Sequence, residues 1–179
     1  MQWPTWKSCA RRGRNSLPAN AKSPELVAII DANITIAATF NDEKFYSLAV
    51  DLLIELGNAG ARFIAPPLWE SETSSIIRMR TETKKTTTLD AEQKAYEFLD
   101  SLPIEIVCSS QTKQRARDLA LQLGLDRAYD STYLALALEE DAQFWTAAER
   151  FYNLVSPLYS SVKLLKNWKR GDPFTALTP

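Results

Sequence analysis

The chain contains no histidine. That removes Ser-His-Asp and Cys-His nucleophilic sites, imidazole general bases, and every zinc site built on imidazole. Cysteine is scarce: Cys9 and Cys108 form neither a CxxC pair nor a disulfide framework, and they read as two reduced thiols of a cytoplasmic protein. No apolar run approaches the roughly 20 residues that a membrane span needs. The basic start of the chain is not followed by an apolar segment, which argues against a secretory signal. The five glycines make no Walker loop and no GxGxxG, and there is no internal repeat. Acid is missing from residues 1–22, which carry Lys7, Arg11, Arg12, Arg14 and Lys22; the rest of the chain holds 16 basic and 22 acidic residues, a balance of −6. A body of that sign does not attract nucleic acid by bulk charge and needs a local basic rim. Arg115 and Arg117 are candidates for one, although such a pair is more often a solvated helix face.

At 179 residues the chain suits one domain with a sizeable core. Residues 1–23 read as a flexible basic arm, 24–165 as the domain, and 166–179 as a loose polar tail. The run Leu26–Ile30 is apolar without interruption, as a central parallel strand buried on both faces should be. A short helical turn follows through Phe40. Asn41-Asp42-Glu43 reads as a cap for an amphipathic helix that ends at Gly57. Arg62–Ala65 is a second strand, and Pro66-Pro67 opens a helix over Leu68–Arg80. Thr81–Thr88 reads as a polar loop, Leu89–Leu102 as a helix, and Ile104–Cys108 as a third strand. A helix over Thr112–Leu123 follows, closed by Gly124. The stretch LDRAYDSTYLALALEEDAQFWTAAERFYN opens with a helix that carries Asp130 at its start and continues into a strand over Ala142–Thr146. Val155, Val162, Leu164 and Leu165 suggest short terminal strands around Pro157. This alternation predicts an α/β fold with a mainly parallel central sheet flanked by helices.

In such sheets, sites lie at the carboxyl ends of strands. Asp31 follows the first strand directly; it is either a site carboxylate or the N-cap of the next helix. Glu70 and Glu72 are two apart in one helix and point to different sides, so only one can face a cleft. Asp130 opens the helix before the fourth strand. Clustered carboxylates raise one another's pKa unless a cation neutralises them. Oxygen ligands without His or Cys select Mg2+ or Mn2+, which activate water and stabilise charge on a phosphate.

Several of these strings resemble the motifs of the PIN-domain family, in order along about residues 26–156. IIDAN resembles the opening motif, a strand followed by Asp-x-Asn. PPLWESETSSIIR resembles a Pro-x-Leu-x-x-x-Glu pattern that places the functional acid at Glu72 and leaves Glu70 solvated. YDSTYLALA followed by FWTAAERFYN resembles the C-terminal half of VapC-type toxins. The resemblance implies a single PIN-like domain and a metal-dependent RNA endonuclease. Asp31, Glu72 and Asp130 would be its catalytic residues and ligands of Mg2+ or Mn2+, with Asn33 and Thr146 in support. It also implies an RNA substrate, a small cognate antitoxin, a homodimer, a cytoplasmic location and no membrane. One position departs from the pattern. The family's Thr-x-Asp triplet is Thr146-Ala147-Ala148 here, so Ala148 stands where a fourth acid is expected. Glu149 is one residue out of register and Asp126 one helical turn before Asp130; neither is a natural substitute. A methyl group neither ligates a metal nor orients water, so activity is expected to be weakened or lost. The alternative is a non-catalytic module that binds RNA or an antitoxin peptide. A phosphoacceptor role for Asp31 is disfavoured, because no acidic pair lies beside the first strand.

Overall fold

The computed structural model describes residues 25–174. The proposed arm at 1–23 and the last five residues of the proposed tail lie outside them. Five strands form one sheet in the order β3-β2-β1-β4-β5, with every neighbouring pair parallel. They are β1 (Val27–Ile30), β2 (Arg62–Ala65), β3 (Ile104–Ile106), β4 (Gln143–Thr146) and β5 (Val162–Leu164). Every residue of β1 and of β4 is buried. Successive strand side chains point to opposite faces, so burial of all of them means that both faces of the sheet's centre are covered. That is why Leu26–Ile30 carries no polar alternation.

Seven α-helices surround the sheet among the described residues: α1 (Ala32–Thr39), α2 (Tyr46–Asn58), α3 (Leu68–Arg78), α4 (Leu89–Ser101), α5 (Ser110–Gln122), α6 (Tyr129–Glu139) and α7 (Glu149–Val155). None is long and apolar enough to cross a membrane. Thr88 and Ser109 cap α4 and α5 by accepting from the backbone amides of Ala91 and Thr112.

Four segments differ from the sequence reading. Asn41-Asp42-Glu43 does not cap α2, which starts later, after Phe45. Its acids turn instead to Arg80, which pairs with Asp42 at 2.5 Å and Glu43 at 2.7 Å and lies 4.2 Å from the centre of the Phe40 ring. Arg80 is buried and belongs to a π-helical turn, Met79–Thr83, that occupies the first part of the expected loop. Val155 ends a helix rather than forming a strand, and Val162–Leu164 is a single strand beside β4. Beyond Leu165, where the domain was expected to close, Trp168 is buried and its ring stacks on Phe174.

Candidate active site

The sheet order puts β1 beside β4, and Ile30 pairs with Trp145. The next residue on each strand, Asp31 and Thr146, therefore meets the other at the carboxyl edge. Thr146 Oγ1 donates to Asp31 Oδ2 at 2.6 Å. The Asp31 backbone amide donates to the Trp145 carbonyl at 3.1 Å, so the pairing continues one step past the strand.

Of the two roles considered for Asp31 from the sequence, the N-cap is realised. Asp31 caps α1, accepting from the Asn33 amide, and its side chain is only 4% exposed. Burial pushes its pKa up to about 7, against the hydrogen bonds from Thr146 and Asn33 that favour the charged form; the charges of Asp130 and Glu72 push it further up.

Asn33 locks this corner. Its Nδ2 donates to Asp31 Oδ2 at 2.8 Å and to Thr146 Oγ1 at 3.2 Å, while its Oδ1 accepts from the Ala147 amide at 2.8 Å. Both amide hydrogens and the oxygen are thus engaged, tying the start of α1 to the end of β4. The Ala148 amide donates to Thr146 Oγ1 at 3.0 Å. Ala148 is half-buried at the N-cap position of α7 and offers the site a methyl group.

Glu72 comes from α3 and Asp130 from the first turn of α6. Both are half-buried, and burial raises the pKa of each; Glu72 is raised further by the Asp130 charge. The three acids therefore sense one another across three elements, and no Lys or Arg among the described residues offsets them. Glu70 is exposed, as its position on the opposite side of α3 requires. Neither possible substitute for a fourth acid joins the group: Glu149 is exposed and pairs with Lys166 at 2.9 Å, and Asp126 is exposed before α6. Arg115 and Arg117 are exposed on α5.

One participant was not visible as such in the sequence. Tyr133 of α6 donates through its hydroxyl to Glu72 Oε2 at 2.6 Å. Its position one helical turn after Asp130 is the signal that could have found it, since residues three apart share a helix face.

The donor set suits a hard divalent cation: oxygens only, buried or half-buried, with uncompensated negative charge. Among the described residues, no three acidic side chains are drawn together tightly enough to form a finished cage.

The family model of the PIN domain matches residues 28–155. A search of curated proteins finds no match. Among solved structures the chain is similar to PAE2754 from Pyrobaculum aerophilum, at 10% identity and a TM-score of 0.56, over 79% of this chain and 90% of that one. It is also similar to VapBC2 from Rickettsia felis, solved bound to a DNA fragment from its promoter, at 17% identity and a TM-score of 0.54, over 80% of this chain and all of that one. At these identities the likeness is one of fold.

Proposed function

The chain belongs to the PIN-domain family, and from that premise we propose that it is an RNA endonuclease of the VapC toxin type that depends on Mg2+ or Mn2+. The observation that carries this reading is electrostatic. Asp31, Glu72 and Asp130 raise the cost of one another's ionisation at one edge of the sheet, with no basic side chain among the described residues to compensate. A divalent ion is the partner such a group lacks, and these three acids would hold it. When bound, the ion supplies an acidified water and neutralises charge on the scissile phosphate.

The chain's own residues have separate tasks. Asn33 and Thr146 fix the Asp31 carboxylate, so its free lone pairs are aimed before a ligand arrives. Glu72 and Asp130, half-buried, stay open to solvent and substrate. An RNA strand is the substrate class, and a small antitoxin and a second copy of the chain are the partners that belong to this reading.

Ala148 favours a second reading, in which the domain binds RNA or an antitoxin peptide without cutting. Both readings meet one experiment: RNA cleavage by this chain beside its Ala148→Asp variant, each with Mn2+ and with EDTA. Expected is weak or absent cleavage by the chain and a rise of at least about tenfold in the variant, abolished by EDTA in both, from restoring one carboxylate to the site. Cleavage that persists in EDTA would sink the metal-dependent reading. Absence of cleavage by both proteins in excess Mn2+ would turn the case toward the binding module.

A further inference from the structure

We infer that Tyr133 is a positioning residue, whose hydroxyl holds the Glu72 carboxylate in place at the acidic site. The inference deepens the metal-dependent reading and rests on it for the consequence at the ion, though not for the contact itself.

Three observations carry it. The hydroxyl donates to Glu72 Oε2 at 2.6 Å, a short, charge-assisted bond. Among the described residues, no other hydrogen bond reaches that carboxylate. The ring that presents the hydroxyl cannot drift: Tyr133 is 1% exposed and stacks on Phe144 of β4, with ring centres 5.7 Å apart and planes 6° from parallel. Glu72 is a long side chain with three rotatable bonds, on a helix that does not itself fix its end. One rigid donor, mounted on the sheet's core, limits where its oxygens go.

The tyrosine also remains a donor. Burial, then the nearby negative charges of Asp31 and Glu72, push its pKa above the ordinary phenol value, so at neutral pH the hydroxyl is a donor. Its lone proton is committed to Glu72; it is not a free acid for the reaction.

The test compares the intact chain with Tyr133→Phe, Glu72→Ala and the double variant. Phenylalanine keeps the ring on Phe144 and removes only the hydroxyl, so the fold is retained, which a thermal melt checks. Mn2+ affinity is read by electron paramagnetic resonance without RNA. Expected is a loss of about tenfold on Tyr133→Phe, the size typical when the support of a metal ligand is removed. In the Glu72→Ala background the same change should have no further effect, because nothing remains for the hydroxyl to position. Equal losses in both backgrounds would overturn the inference. A second readout needs no metal: 13C relaxation of the Glu72 side-chain methylenes should show an ordered side chain in the parent and a mobile one in Tyr133→Phe. Equal order in both would overturn the inference as well. A parent chain that binds no Mn2+, but whose Glu72 loses order on Tyr133→Phe, would sink the metal-dependent reading and leave the positioning role standing.

Discussion

At the scale of single residues, Asp31 couples the site to stability. Burial keeps its proton on in the folded chain up to about pH 7, whereas its ordinary value is 3.8. Between those pH values the folded chain binds more protons than the unfolded chain. Stability therefore falls as pH rises from about 4 to 7, and levels off above it. Glu72 and Asp130, also raised by burial, act with the same sign. A pKa unit corresponds to about 1.4 kcal/mol, so the apo chain should melt several degrees higher at pH 5 than at pH 8. Asp31→Asn should flatten most of that slope and raise the pH 8 melting temperature, while abolishing cleavage. Saturating Mn2+ should stabilise the parent more at pH 8 than at pH 5, since ligands must be ionised. A melting temperature that climbs from pH 5 to pH 8 in the apo chain would contradict the buried, uncompensated carboxylate.

At the scale of elements, the fold was legible where one force decided the pattern. The unbroken run Leu26–Ile30 could only be a strand covered on both faces, and Asp31 at its end had to lie on the sheet's edge. Helical spacing sends Glu70 and Glu72 to different sides, and the resemblance to the PIN pattern chose between them. What escaped were contacts between distant segments. Asp42 and Glu43 look like cap residues from local sequence, but Arg80, 37 residues on from Glu43, draws them away. Tyr133 reads as apolar until Glu72 is brought to its hydroxyl by α3. Trp168 looks like part of a polar tail, because the packing that buries it comes from Phe174 and the neighbouring fold rather than from its flanks.

Arg80 gives this scale its own prediction. Its guanidinium sits over Phe40, which follows α1, and pairs with two acids whose own side chains reach solvent, so it joins the π-helical turn to the end of α1. Arg80→Ala should cost about 2–3 kcal/mol, through lost packing, the ring contact and the pair. Arg80→Lys should recover little of it, because an ammonium offers neither the planar face nor the fork. Urea unfolding reads both; a loss below about 0.5 kcal/mol for the alanine variant would mean that the turn is held by other contacts.

For the whole molecule, the decisive quantity is charge. Every acid of the chain lies within residues 25–172, and beyond residue 22 the balance is −6. RNA is a polyanion, and a negative body that carries three unneutralised carboxylates close to one another repels it. On the metal-dependent reading, the missing attraction arrives with the cation, so RNA affinity itself depends on the ion and not only cleavage does. A non-cleavable RNA titrated by fluorescence anisotropy, at fixed ionic strength, should bind at least about tenfold more tightly with Mg2+ or Mn2+ than with EDTA, a difference of about 1.4 kcal/mol in binding free energy. Asp31→Asn replaces a ligand by a neutral amide and lowers the site's own repulsion. It should weaken binding in the presence of the ion, strengthen it slightly in EDTA, and so narrow the gap from both sides. Equal affinity with the ion and with EDTA would mean that the RNA is held by a basic surface elsewhere, with exposed Arg115 and Arg117 the first residues to replace, and would favour the non-catalytic module over the nuclease.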